Sequence, residues 1–403
     1  MARTVFTGGR VFDGSAKLAA ADVVVEDGRI VDVGPGLDGD QGIDLAGRAV
    51  LPGMFDCHTH VMVSPDRLDT NRELETPFSY WFYVAIGNLR RTLDLGITTV
   101  RDAGLADLGV KTAVADGLIA GPRLHIATAI LSQSGGHADG WLPSGYDMTP
   151  ISWQGMPSGI VDGPDEMRRR AREIIRAGAD QIKVCTSGGV LSPRDDPRHG
   201  HFRDAELAVL VEEATAAGIP VMAHAQGAPG IKAAVRAGIR SIEHGIYIDD
   251  EAIEMMLERG TWLVPTLLAP QGVLDAVAAG AALPAAAVRK AHEVIDVHRA
   301  AVRGAIEAGV KVAMGTDSGV TAHGQNLREL ALMVECGMTP VAAMLATTRS
   351  AAALLGVEDT QGSIEAGKRA DLVIVEGDPF DYADLAGRVT AVFQDGRLVS
   401  GAT

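Results

Sequence analysis

Cysteine is too scarce and too scattered in this chain to staple anything together. Cys57, Cys185 and Cys336 are an odd number at wide spacing, which excludes a disulfide framework and fits free thiols in a reducing cytoplasm. Aromatic residues make up only 4% of the 403 residues, so the core has to rest on Ala, Val, Leu and Ile. No stretch approaches the roughly 18 uninterrupted apolar residues that a membrane-crossing helix needs. The opening MARTVFTGGRVFDGS likewise lacks the apolar segment of a signal peptide. Positive charge is in the minority: 36 Lys and Arg stand against 52 Asp and Glu, a net charge of −16. A surface this acidic repels phosphate backbones and anionic lipid, so neither nucleic acid nor a membrane is expected as a partner. Glycine, by contrast, is abundant at 48 residues, which suits many short turns between strands and helices.

The pattern along the chain has two textures. Near the start, 4–6, 10–12, 22–25 and 29–33 read as short strands, with Glu26-Asp27-Gly28 as a hairpin turn. The tail repeats that texture over 371–375, 389–393 and 397–399, with a turn at Asp395-Gly396. Neither end can bury a core alone. We therefore expect 1–52 and 362–403 to pair as one small β module, leaving 53–361 as a separate unit. In that unit eight candidate strands, 50–55, 98–102, 123–129, 181–185, 221–224, 241–244, 262–266 and 311–316, alternate with helical stretches such as 164–177, 204–217 and 284–308. Gly218 and Gly309 read as helix stops before the next strand. Repeated strand–helix units imply a parallel sheet, and eight with right-handed crossovers imply a closed (β/α)8 barrel, an α/β fold.

The chemistry lies where these strands end. The first runs into Asp56-Cys57-His58-Thr59-His60, the fourth carries Lys183, the fifth ends in His224, the sixth in His244 and the eighth in Asp317. In a parallel barrel all these ends meet on one rim. His58 and His60 are two apart on a strand, so both imidazoles face the same side and can reach one metal ion. A second His-x-His, His199-Gly200-His201, lies in the Pro- and Arg-rich segment SPRDDPRHGHF and reads as a solvated loop. Lys183 sits in the apolar run QIKVC, where a charged amine is costly. Either it pairs with a buried acid, or the neutral amine adds CO₂ and becomes a carbamate whose two oxygens bridge two cations. His224 and His244 would hold the second ion, with Zn²⁺ first and Mn²⁺, Co²⁺ or Ni²⁺ as alternatives. Asp317 can touch metal and take a proton from water, or simply cap a helix. His137, in SQSGGHADG, is either an oxyanion donor or a surface histidine. We assign no role to His125, His292, His298 or His323.

Together these motifs resemble the amidohydrolase superfamily over essentially the whole chain. SQSGGH, IKVCTSGGVLSPRDDP and IEHGIYID are most similar to its imidazolonepropionase-related branch, with prolidase-like and Xaa-Arg/Lys dipeptidase-like enzymes. The resemblance implies a barrel carrying a β-sandwich built from the two chain ends. It also implies a binuclear centre on His58, His60, carboxylated Lys183, His224, His244 and Asp317. Asp317 is then ligand and base, and His137 contacts the carbonyl under attack. Such enzymes act on small molecules and are commonly homo-oligomers. One position departs: where the dipeptidases often carry a tyrosine that holds the substrate α-carboxylate, this chain has Gln226.

The expected reaction is hydrolysis of an amide-type C–N bond by metal-bound hydroxide. The substrate would be an N-acyl amino acid or dipeptide, or a neutral amide, carbamate or urea. Gln226 and Arg194 are candidate substrate contacts, although Arg194 could instead pair with Asp195, Asp196 or solvent. The alternatives are a single-metal deaminase, which has no need of Lys183, a cyclic-amide hydrolase, and a barrel scaffold without activity.

Overall fold

The computed structural model describes residues 3–402, except 16, 143, 149–154, 193, 281–282 and 284. Both ends of the chain enter one eight-stranded sheet. Its spatial order is Arg397–Gly401, Val389–Gln394, Leu372–Val375, Ala49–Pro52, Thr4–Phe12, Leu18–Glu26 and Arg29–Gly34, with Gln41–Asp44 also pairing Thr4–Phe12. The two Asp-Gly turns take positive φ at both residues, 50° and 77° at Asp27-Gly28 and 46° and 71° at Asp395-Gly396. This is the backbone that a tight hairpin demands and that Asp and Gly tolerate. Phe6 from the first strand meets Phe393 from the tail edge-on, with ring centroids 5.0 Å apart. Such a contact is worth about 0.5–1.5 kcal/mol beyond the burial of the rings.

The middle of the chain forms two parallel sheets. One runs Met54–Thr59, Ile97–Asp102, Arg123–Ile126; the other runs Lys311–Val312, Trp262–Val264, Ser241–His244, Val221–Ala225, Ile182–Cys185, Ile130–Leu131. Helices Pro164–Arg176, Asp204–Ala216 and Ala285–Glu307 lie close to the expected bounds, although Pro284, expected to open the last, is outside the described residues. Gly218 and Gly309 take φ of 70° and 87° after their helices, as glycine stops do. No helix among the described residues is long and apolar enough to cross a membrane.

Four expected strands differ from the structure, for local reasons. The stretch 50–55 is two strands. Ala49–Pro52 ends in the terminal sheet with Pro52 opposite Leu372, and Met54–Thr59 starts the parallel one. Gly53 makes the crossing, and a Cβ there would lie 2.2 Å from Thr98 Oγ1, so only glycine fits. The stretch 123–129 breaks at Thr128, 262–266 ends before Thr266, and 311–316 is regular only at Lys311–Val312. Thr128 and Thr266 have φ of 59° and 51°, and His244 and Asp317 have 72° and 59°. Each left-handed residue costs roughly 1–3 kcal/mol and turns its side chain at the strand end. Past Val312 the chain runs between two neighbours, with Ala313 N–H donating to Leu263 O at 3.0 Å and Cys57 N–H donating to Met314 O at 2.9 Å.

Candidate metal centre

His58 is the hub. Its Nε2 lies 3.5 Å from Asp317 Oδ1 and 3.3 Å from Lys183 Nζ. His60 Nε2 approaches the same Asp317 oxygen at 3.3 Å. Ligand atoms of His58, His244 and Asp317 all fall within 4.8 Å of one another. The His224 ring lies edge-on to His244, with centroids 4.6 Å apart, but its Nε2 is engaged by Gly188 O at 3.0 Å. Residues from four strands and from the irregular stretch after Lys311–Val312 are therefore neighbours, and all except the part-buried His60 are buried.

The hydrogen bonds set the rings for coordination. His58 Nδ1 meets Glu243 Oε2 at 2.8 Å, His60 Nδ1 meets Gly104 O at 3.3 Å, and His244 Nδ1 meets Thr266 Oγ1 at 2.7 Å. A carboxylate or carbonyl partner makes Nδ1 the donor in His58 and His60. Burial opposes charge on the His60 ring, but Asp317 and Asp102 outweigh it and push this imidazole above its usual range. Burial pushes His58 and His244 well below the usual imidazole range, assisted by the Lys183 charge; His224 is pushed down by burial and by His137. Burial also pushes the Lys183 amine down. Burial would raise the Asp317 carboxyl, but His58, His60 and Lys183 outweigh it and hold it below the usual carboxylate range. Four imidazoles, one carboxylate and a depressed amine are a donor set that suits divalent ions.

Beneath the cluster, Glu243 accepts from Arg101 Nη2 at 2.8 Å and Ser241 Oγ at 2.5 Å, while Arg101 Nε donates to Cys57 O at 2.6 Å. Both charged groups are buried, and each satisfies the other. Neither is among the residues expected from the sequence, although TTVRD and SIEH show the same anomaly as Lys183: a charge inside an apolar strand. Carboxylates that orient ligand imidazoles typically account for 10–100-fold in metal affinity. We expect Glu243→Gln to weaken metal retention by about that factor, measured by metal content after dialysis against graded chelator. Retention equal to that of the native chain would remove Glu243 from this role.

A narrow pocket opens beside the cluster, with mostly apolar lining and a few convergent polar groups, the make-up usual for small-molecule sites. His137, His224, His244 and Asp317 form its polar end, and Val190, Leu191, Ile246, Val273 and Val320 form much of its apolar wall. Among the described residues lining it there is no Arg or Lys. His137 stacks on His224 with centroids 4.0 Å apart and planes 16° from parallel, and its Nδ1 meets Ser192 Oγ at 2.7 Å. Gln226 lines the pocket, and its Oε1 is buried without a hydrogen-bond partner. Arg194 is exposed and is not among the lining residues.

Three histidines behave otherwise than expected. His298, given no role, lines the pocket and bonds His244 O at 2.9 Å. His323 braces the chain at His60 O, at 3.2 Å. In the His199-Gly200-His201 pair, expected in solvent, His199 is exposed but His201 is buried, because its backbone N–H is drawn in to Thr186 O at 2.8 Å.

Comparison with known proteins agrees with this geometry. The family model described as the amidohydrolase family matches residues 49–399. Ochratoxinase of Aspergillus niger is 36% identical over 370 residues, spanning 87% of this chain and 76% of that protein. Imidazolonepropionase of Micrococcus luteus is 28% identical over 387 residues, spanning 89% of this chain and 88% of that one. A crystal structure of a Xaa-Pro dipeptidase with bound methionine in the active site superposes with a TM-score of 0.91 at 34% identity, covering 99% of this chain and 100% of that one. With a match over most of its length and a buried His, Asp and Lys cluster facing a pocket, this chain belongs to the amidohydrolase family and is a hydrolase of carbon–nitrogen bonds.

Proposed function

We propose that this hydrolase cleaves an amide, carbamate or urea bond in a small molecule whose apolar part fills the pocket beside Val190, Ile246 and Val273. What carries this is the meeting of that apolar wall, which has no described Arg or Lys, with His224, His244 and Asp317 in the same pocket lining; His58 adjoins Asp317 at 3.5 Å and Lys183 at 3.3 Å. A cation is what a site uses to hold a carboxylate strongly. The Gln226 amide offers only neutral hydrogen bonds. A second reading, an N-acyl amino acid or dipeptide with a free carboxylate, is favoured by the relatives named ochratoxinase and Xaa-Pro dipeptidase.

In this proposal His58, His60 and Asp317 would hold one divalent ion, His224 and His244 a second, and carboxylated Lys183 would bridge them. Zn²⁺ is the leading candidate. His224 would have to release Gly188 O or use Nδ1. Such ions would lower the pKa of water and polarise the scissile carbonyl. Asp317 takes the proton from the attacking water and returns it to the leaving nitrogen. His137 reaches the carbonyl oxygen that gains charge. A single-ion deaminase is disfavoured by Lys183, 3.3 Å from His58, since it would have no use for a buried amine there. The framework we propose is a (β/α)8 barrel over 53–361 with a β-sandwich of 1–52 and 362–403. The cytoplasmic setting, supported by three buried free thiols, and a homo-oligomeric state belong to the same proposal.

The test is a hydrolysis panel on protein stripped by chelator and reloaded with Zn²⁺ in the presence of bicarbonate. Neutral aryl amides, carbamates and ureas are run beside matched N-acyl amino acids and dipeptides. We expect no turnover after stripping, recovery on reloading, and higher kcat/KM for the neutral set. A preference for the carboxylates establishes the second reading, and full activity after stripping overturns the metal assignment.

A further inference from the structure

The loop after strand Ile182–Cys185 is held by one residue from a distant helix. Lys290, on Ala285–Glu307, is buried, and its Nζ donates to Gly189 O at 2.8 Å, Ser192 O at 2.7 Å and Asp195 O at 2.6 Å. An ammonium has three N–H groups and no acceptor, so these carbonyls use all of them. Buried ammonium groups are costly unless fully satisfied, and here the cost is met by shaping a loop. Inside the loop, Asp195 Oδ2 accepts from Gly189 N at 3.2 Å, and Ser192 Oγ contacts both Asp195 Oδ1 and, at 2.7 Å, His137 Nδ1. Gly189 lies against the same imidazole, where a Cβ would fall 2.1 Å from His137 Cε1.

We infer that Lys290, Asp195 and Ser192 form a positioning relay that fixes the plane and the tautomer of His137 toward the pocket. Burial would raise the Asp195 carboxyl, but His137, Ser192 and Lys290 hold it down to about 2, so the carboxylate only accepts. Ser192 has one hydroxyl proton, and Asp195 takes it. His137 Nδ1 must then be the donor to Ser192 Oγ. Nε2 is the ring atom left for substrate. The ring packs on the His224 face, 4.0 Å away, and against Gly189, which holds its tilt, while the Nδ1 contact with Ser192 Oγ sets its flip state.

The inference rests on the reading of His137 as a substrate-contacting residue, and a double-mutant cycle separates the two. With the panel substrate turned over fastest, His137→Ala should lower kcat roughly 10²–10³-fold. Ser192→Ala, Asp195→Asn and Lys290→Met should each lower it about 10–100-fold with KM little changed. Each should cost nothing further in the His137→Ala background, and Ser192→Thr should restore most of the loss. Metal content and Tm are followed in every variant. The substrate-free readout is the downfield imidazole N–H resonance that disappears in His137→Ala; it should also be lost in Ser192→Ala. No loss in His137→Ala overturns both ideas. A loss there with fully additive relay variants, or a resonance that survives Ser192→Ala, overturns the relay and leaves the role of His137 standing.

Discussion

Asp317→Asn is expected to lower kcat by about 10²–10⁴-fold, the span of a lost general acid–base group, while the chain stays folded. Asn is chosen because Asp317 has φ 59°, a left-handed backbone that Asn tolerates and Ala does not. The amide keeps the size of the carboxyl and can still meet His60 Nε2, now 3.3 Å from Oδ1. It cannot take a proton, and it removes the negative charge from between two imidazoles and an amine. Part of the loss would arise through metal binding, so kcat is compared at saturating Zn²⁺ with bound metal measured on the same samples. A fully loaded Asn variant within tenfold of native kcat would mean that another group moves the proton.

Lys183→Ala is expected to remove more than a hundredfold in kcat/KM, because losing a bridge between two ions forfeits several kcal/mol of charge stabilisation, at about 1.4 kcal/mol per tenfold. Bound metal should fall from two ions per chain toward one. The Lys183 side chain is buried, with its Nζ 3.3 Å from His58 Nε2, so its deletion leaves a space that a short carboxylate such as propionate can enter. Millimolar propionate should restore part of the activity by supplying two oxygens where the proposed carbamate would stand. Lys183→Arg discriminates the explanations: it keeps a cation but cannot form a carbamate. An active Arg variant would reduce Lys183 to a buried counter-charge for Glu243 and Asp317.

The candidate ligands were legible in the sequence because a parallel sheet converts linear position into spatial position. In the barrel proposed for this chain strand ends share a rim, so His58, His60, Lys183, His224, His244 and Asp317 could be gathered without any contact being known. The Asp27-Gly28 and Asp395-Gly396 turns and the glycine helix stops were readable for a related reason: each is a backbone demand met by the residue that makes it.

What the sequence could not supply are the contacts between side chains far apart in the chain. The sequence shows Glu243 and Arg101 as charges inside apolar strands, but not that Glu243 meets His58, 185 positions away, in the interior. Lys290 lay in a plain helical pattern, 95 residues from the Asp195 it holds. Gln226 and Arg194 were equal candidates by sequence; the tertiary structure puts the first in the pocket wall and the second in solvent. Periodicity states which face of an element is apolar, and a motif states which donor types are at hand. Neither encodes which donor reaches which acceptor. That is decided when buried polar groups, which cannot be left unpaired at a cost of a few kcal/mol each, find the partners that packing brings within reach.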